Sequence, residues 1–546
     1  MRIALGAPFM GLAPRLLSGC GPGRGVPEGE LLDFGRARAH AALRDSRGMT
    51  LANMPADIAR ERRGVVVVGG GVAGLAAAWR LVGEGGLGER GDVLVCELED
   101  VVGGTARAGR SELSAFPWGA HYVVAPFSED RAMVRLLGEM GCFEGVDRHG
   151  HPNAAEGAAV RELEERHFFE GRFSAGLYPG DGETAEEKAE RERFGRRMDA
   201  LAGAVSARGR AFTLPVSQVA EVDGVDAAAL DRMTFAAWLE AEGFRSWRLE
   251  WLCDYACRDD YGTSAAACSA WAGLLYFIAR RRPEVGLEDR AVITWPEGNG
   301  RVVEHLARQV GATRIETGAM VLDVEADDAG ARVLVVDRAG RARVIACDSV
   351  IVATPRHVAR HVVRAYREAP PAWMDAFTTA PWVVVNLHLS RRPETVGVAQ
   401  AWDTVFIGSA SVGYVDAQHQ RGRDHGPTVW TWYRPLFEAG EVRKQCEAVG
   451  REGWVEAALS ELELGHPDIR RCVVRADVGR LGHGMVRPVP GLRRHLESAR
   501  VAPHPRVRVA HTDLSGVALC EEAVDHGLRA AEEVLAARGG DVRSWR

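Results

Sequence analysis

Three glycines, Gly69, Gly71 and Gly74, fall as G-x-G-x-x-G inside VVVVGGGVAGLAAAWRL, the stretch from Val65 to Leu81. At this spacing, between a strand pattern and a helix pattern, they suit the pyrophosphate of a dinucleotide. The first allows a tight turn, the second lets the backbone approach the anion, and the third lets helix and strand pack closely. Val72 and Ala73 lie between the last two, where a helix starts and offers free N–H groups to the anion. Glu97 ends a second strand-like run, DVLVCE, at the distance where a carboxylate binds the adenosine ribose hydroxyls and rejects a 2′-phosphate. A further glycine pair, Gly103 and Gly104, follows in LEDVVGGTARAG with Arg107 close behind. A nicotinamide dinucleotide has no use for that pair, whereas an extended flavin dinucleotide gains another close backbone approach and a cation. An ordinary tight turn is the other reading.

These residues need elements to hold them. Residues 65–68 have the unbroken apolar run of a buried strand, and GLAAAWRLV has helical spacing, so the expected class is α/β. With 546 residues, 46% of them hydrophobic, the chain can bury a large core and divide into more than one domain. Lys and Arg number 68 against 75 Asp and Glu, a net charge of -7, and no basic block interleaves with aromatics. Nucleic acid is therefore not an expected partner. The ten cysteines lack C-x-x-C pairs, and no metal site is expected. Cys253 and Cys257 share a helix face with Cys268 nearby in sequence, as buried apolar groups or as a metal or disulfide set. No run is long enough to span a membrane.

VVVVGGGVAGLAAAWRL, Glu97 with GGTAR behind it, and FPWGAHYV together resemble the FAD-binding N-terminus of the flavin-containing amine oxidase superfamily. That group includes protoporphyrinogen oxidase and phytoene desaturase-like enzymes. The stretch from TWPEGNGRVVEHLARQVGATRIETGAMVLDVEADDAG to CDSVIVATP is similar to its central block, and VRVAHTDLSGVALCEEAVDHGLRAAEEVL to its closing flavin motif. The resemblance implies FAD as cofactor, Asp513 on its ribityl chain, Val321 among the residues that hold it, and a closing helix with its positive end toward the flavin. It also implies a discontinuous Rossmann-like FAD-binding domain from 64–125, 294–357 and 479–538. An α+β substrate domain from 126–293 and 358–478 is inserted, after a leader 1–63 with one short helix around FGRARAHAALRD.

The implied activity is hydride transfer from a small-molecule organic substrate to flavin N5, with reoxidation by oxygen or a quinone-like acceptor. Two other readings stay open: a flavoprotein whose FAD is structural or serves a redox-neutral, mutase-like rearrangement, and a lipid-anchored nucleotide-binding relic without catalysis. Many relatives place a lysine near N5. The only lysines here, Lys188 and Lys444, stand in charged helical contexts unlike that one, which counts against amine oxidation but not against hydride transfer.

His121, in WGAHYV, falls where relatives pass the flavin ring; it lies against the ring or is a core histidine. His483 and Arg487, in RLGHGMVRPVPG, stand before the closing motif and either bind and protonate substrate or brace a loop. Tyr261, with Asp259 and Asp260 in CRDDYGT, either meets the active site or belongs to a helix-ending turn. Trp402, Trp430, Trp432 and Tyr433 are candidates for an apolar pocket wall, and alternation sends Trp430 and Trp432 to one side of a strand, which serves a core as readily. At the N-terminus, LSGC resembles a bacterial lipobox with Cys20 as the lipidated residue. That reading attaches the chain to the periplasmic face of a membrane; the alternative is cytoplasmic.

Overall fold

Val65 to Val68 are at most 4% exposed, and their side chains alternate between two separate cores. A run of β-branched residues buried on both faces belongs in the middle of a parallel sheet. In the computed structural model, which describes residues 25–45, 49–55, 57–87, 92–286, 290–423, 425–438 and 441–546, that is where it lies. Cys20 falls outside the described residues. Strand Ala59–Val68 runs parallel to Val93–Cys96 on one side and to Ala342–Val352 on the other. The sheet continues outward through Ile315–Glu316 at one edge and through Gly330–Val336 and Met320–Asp327 at the other. Val507–Val509 pairs with the far half of Ala342–Val352.

Val65 and Val67 face a helical layer made of Val72–Val82, Gly300–Val310 and Cys520–Ala537. Small residues let these helices approach closely: a Cβ on Gly527 would strike the Ala73 carbonyl oxygen. The closing segment of the chain is thereby locked against the helix that starts at Gly71.

The second sheet has the order Leu31–Leu32, Val473–Val486, Thr379–Leu389, Thr428–Pro435, Tyr414–Asp416, Asp403–Phe406, Glu165–Phe169 and Arg172–Ala175. Both faces of its centre are covered. Val383, Val385, Trp430 and Trp432 pack against helix Arg451–Leu462, while Trp382, Val384, Tyr433 and Trp402 form an aromatic face on the other side. A helical group, Ala185–Ala202, Phe235–Ala241, Trp247–Tyr261 and Ala270–Ile278, encloses a core of its own that absorbs Cys253, Cys257 and Cys268. Thr184 opens the first of these with a capping box, accepting from the Glu187 N–H at 3.2 Å while Glu187 Oε2 accepts from the Thr184 N–H at 2.9 Å. Among the described residues no helix is long and apolar enough to cross a membrane.

The architecture is α/β, a Rossmann-like sheet built from separated segments and joined to a mixed α+β part. Two details differ from the domain limits expected from sequence. Val473–Val486 is one strand that runs through residue 479, and residues 25–45 do not stand off as a leader. Leu31–Leu32 adds an edge strand parallel to Val478 and Gly479, and helix Arg36–Asp45 follows. The charges that look solvent-directed are paired within the fold: Asp33 takes both Nε and Nη2 of Arg480 at 2.7 Å.

Candidate active site

Gly69 turns the chain out of strand Ala59–Val68 with φ +104°, where a Cβ would lie 2.7 Å from the Ala353 carbonyl oxygen. A Cβ on Gly71 would meet nothing within 4 Å, so this residue faces open space. Opposite it, Gly103 forms a parallel bridge with Gly71, and its N–H donates to the Gly70 carbonyl at 2.8 Å. A Cβ on Gly104 would touch only the Gly71 Cα, at 3.6 Å. Two glycine backbones therefore confront one another across a gap that side chains would fill, beside the uncapped start of helix Val72–Val82. Thr354 Oγ1 and Arg107 Nε, bordering the gap, are buried without a hydrogen-bond partner among the described residues. A gap of this kind suits a pyrophosphate.

Glu97 Oε2 accepts from the Gly70 N–H at 2.7 Å and Oε1 from the Glu99 N–H at 2.8 Å. Burial pushes its pKa up, and each oxygen keeps a lone pair for a ribose hydroxyl. The Ala319 N–H donates to the Glu97 carbonyl at 2.8 Å, which brings Val321, 8% exposed, to this end. Arg107 lies over the Phe34 ring at 5.3 Å and 3.6 Å from the Glu99 carboxylate. Asp513 Oδ2 accepts from the Arg356 N–H at 2.7 Å, and Oδ1 lies 3.1 Å from His511 Nδ1. Burial works against its ionisation, yet His511 and the Arg356 amide outweigh burial and hold the carboxyl well below the usual range. Nearby, helix Cys520–Ala537 starts without a side-chain cap. The residues present fit FAD from its adenosine to its ring.

Beyond Thr105 the chain doubles back on this gap, the Ala120 N–H donating to the Thr105 carbonyl at 3.0 Å, and so delivers His121. The His121 ring stacks on Tyr433 at 4.8 Å and meets Trp402 at 5.6 Å and Tyr122 at 5.2 Å. The Tyr433 hydroxyl donates to the Gly119 carbonyl at 2.9 Å, which fixes the box. Trp382 stands edge-on to Tyr433 at 6.5 Å, its Nε1 buried without a hydrogen-bond partner among the described residues. Gly262 and Gly484 make room for that ring, since a Cβ on them would lie 2.7 Å and 2.8 Å from it. His121, Tyr122, Asp259, Arg280 and Asp403 lie deep in the protein, where desolvation dominates their titration. They nevertheless keep accessible surface, as side chains facing an internal cavity do.

Helix Trp247–Tyr261 ends at Gly262, φ +59°, and its last turn presents Asp259 and Asp260 at the negative end of the helix dipole, where a carboxylate is disfavoured. Asp260 Oδ1 accepts from the Tyr122 hydroxyl at 3.1 Å. Burial, with Asp260 as a like-charged neighbour, pushes Asp259 up to about 7. Burial, with Asp259 and Glu165 nearby, pushes Asp403 well above the usual carboxyl range. Arg280 faces these acids and lies 5.8 Å from the Tyr122 ring; against the effect of burial, Tyr122 and Asp260 hold it charged. The neighbouring Arg258 is committed to Asp254 at 3.0 Å and to the Ser409 carbonyl at 2.8 Å. Arg280 acts on both Asp259 and Asp260, Arg258 acts on Asp259 as well, and Asp403 adds a third carboxyl; acids this close in a low-dielectric site are relieved by protonation or by taking up a cation. Burial also pushes His121 down to about 4, so its imidazole is neutral at neutral pH.

Of the residues singled out from sequence, His121, Trp402 and Tyr433 come together at the cavity. Trp430 and Trp432 do not, because alternation along Thr428–Pro435 sends them to the opposite face. There Trp430 stacks on Tyr414 at 4.2 Å, and Trp432 Nε1 donates to Glu461 at 3.0 Å. Tyr261 is turned by the helix into the helical core, where its hydroxyl donates to the Ala272 carbonyl at 2.9 Å; its neighbours Asp259 and Asp260 take the cavity side. His483 stacks on His357 at 4.0 Å and bonds Thr379 Oγ1 at 2.9 Å. Burial and His357 push it down to about 3. Arg487 Nη2 donates to Thr263 Oγ1 at 2.9 Å. Neither of these two joins the acid cluster. Sequence reasoning passed over Asp403, Arg280, Tyr122 and Trp382. An acid opening the apolar strand in AWDTVF was the one available signal for Asp403, and Arg280 is hidden in the basic run RRR.

A family model described as flavin-containing amine oxidoreductase matches residues 72–535. No curated protein matches in sequence. Among solved structures, a wild-type putrescine oxidase bound to putrescine superposes with a TM-score of 0.60 at 18% identity, covering 87% of this chain and 100% of that chain. Cyclohexylamine oxidase from Brevibacterium oxydans IH-35A gives 0.61 at 16% identity, covering 87% and 99%. A protein described as a protoporphyrinogen oxidase, from Exiguobacterium sp. 255-15, gives 0.58 at 15%, covering 89% and 100%. At these identities the likeness speaks for the fold.

Proposed function

The chain belongs to the flavin-containing amine oxidoreductase family and is an FAD-dependent oxidoreductase; on that premise we propose that it oxidises an amine that carries a second positive charge. Bound FAD supplies the two-electron acceptor for a hydride from the carbon beside the nitrogen. The chain's own residues select and prepare that carbon. Only the free amine has the lone pair that lets the hydride leave, and His121, kept neutral by its burial, puts no positive charge beside that nitrogen, so the amine reacts there in its uncharged form after giving its proton to water. The rings of His121, Trp402 and Tyr433 flank the reacting end and exclude water. The product at that carbon is an iminium ion, which water converts to a carbonyl compound and an amine. Oxygen or a quinone-like acceptor takes the electrons away.

The observation that carries this reading is the set of three carboxyls, Asp259, Asp260 and Asp403, with Arg280 beside the first two. A distal ammonium takes the place of a proton among them and draws a carboxyl into its ionised form. One of the similar structures holds the diamine putrescine. This support outweighs the absence of a lysine in the context seen in other family members.

The test compares a diamine with the monoamine of equal chain length. A charge-assisted hydrogen bond contributes about 1.5–3 kcal/mol, so Asp259→Asn should cut the diamine-to-monoamine ratio of kcat/KM by roughly ten- to a hundredfold. In the wild type the ratio should rise with pH through about 7, where Asp259 becomes a carboxylate, and the variant should lose that rise. A ratio unchanged by the substitution would place the second charge elsewhere.

A further inference from the structure

Residues 31–40 lie outside the stretch matched by the family model and run from one sheet to the other. Their base is fixed on the second sheet by the Leu31–Leu32 pairing with Val478 and Gly479 and by the two-point contact of Asp33 with Arg480. The next residues cross to the nucleotide-binding sheet, where Arg38 donates to the Leu98 carbonyl and to the Val336 carbonyl, both at 3.0 Å. Leu98 lies between Glu97 and Glu99, so this anchor grips the loop that leads to the second glycine pair.

The crossing itself is strained. Phe34 has φ +42° and Gly35 φ +61°. A side chain at φ > 0 is sterically disfavoured and persists only where its surroundings over-determine it. The surroundings here are specific. The Phe34 ring meets Trp118 edge-on at 6.3 Å, lies under the Arg107 guanidinium at 5.3 Å and fits against Gly479, whose Cβ would come within 3.2 Å of it. A Cβ on Gly35 would strike the Glu99 carboxylate. Phe34 therefore touches both Arg107, at the second glycine pair, and Trp118, which starts the WGAH segment that delivers His121.

We infer that residues 31–40 form a strap across the cofactor cleft, with Phe34 and Arg38 as positioning residues that hold Arg107 and the Leu98–Glu99 loop closed on bound FAD. FAD leaves only when the strap lifts, so the strap governs retention of the cofactor rather than the chemistry done with it.

The test is the rate at which the holoenzyme releases FAD on dilution, followed by the rise of free-flavin fluorescence. Phe34→Ala should release FAD at least about tenfold faster, since a cation–π contact and an aromatic pair are lost together. Phe34→Tyr, which keeps the ring, should restore the wild-type rate. Asp33→Asn loosens only the base of the strap and should also speed release, so the proposal stays testable if Phe34→Ala does not fold. Release at the wild-type rate from Phe34→Ala or Asp33→Asn overturns it. So does a variant whose apoprotein melts at lower temperature while FAD leaves no faster, because that is the mark of a purely structural segment.

Discussion

Gly69 to Gly74 and Gly103 to Gly104 build the cofactor end of the site from backbone, whereas the cavity beyond it is built from side chains on five separated segments. Those side chains are His121 and Tyr122, Asp259 and Asp260, Arg280, Trp402 and Asp403, and Tyr433. The first end must suit a phosphate chain that is the same in every FAD, so it uses N–H groups and empty space, which only glycine provides at a close approach. On the proposed function the second end tells one amine from another, by charge and ring geometry. A substitution at the first end should abolish the holoenzyme; one at the second should leave the cofactor in place and change what is done with it.

The largest effect is expected at Gly71. Gly71→Val puts side-chain atoms into the gap opposite Gly104, where an added Cβ has no described atom within 4 Å. The variant should purify as a folded, colourless protein, and its ratio of flavin to protein absorbance should fall to near zero. A yellow Gly71→Val protein would break the contrast between the two ends. A smaller effect is expected at His121. His121→Ala should keep a full complement of FAD and slow its reduction by substrate about a hundredfold, the cost of misplacing the reacting carbon once the ring stacked on Tyr433 is lost. Trp430→Phe, on the far face of the same strand as Tyr433, is the control and should leave the reduction rate unchanged.

The same contrast explains what could be read before the fold was known. The glycine fingerprint, Glu97 and the second glycine pair are local requirements of backbone and sit within about forty residues of one another, so spacing alone exposes them. The aromatic residues were half legible. Alternation separates Trp430 and Trp432 from Tyr433, but a sheet buried on both faces gives no sign of which face borders the cavity. Tyr261 was less accessible to such reasoning than Asp259 and Asp260, because a helix turn of about 100° per residue decides which of three polar neighbours reaches the cavity. Asp403 and Arg280 carry no local pattern, since Asp403 gains its meaning from Asp259 and Arg280 from Tyr122 and Asp260, which only the fold brings to them. Residues 25–45 look like a charged leader because the partner of Asp33 lies 447 positions away, at Arg480.

The measurement that bears most directly on the central claim is the visible spectrum of the anaerobic holoenzyme after addition of a short aliphatic diamine, set against the monoamine of equal length. The account predicts that the oxidised flavin band bleaches with the diamine and far more slowly with the monoamine, the difference shrinking in Asp259→Asn. A flavin that no amine bleaches, but that a polyene or a porphyrinogen does, would contradict the cation-binding role of the cavity and leave the cofactor end as it stands.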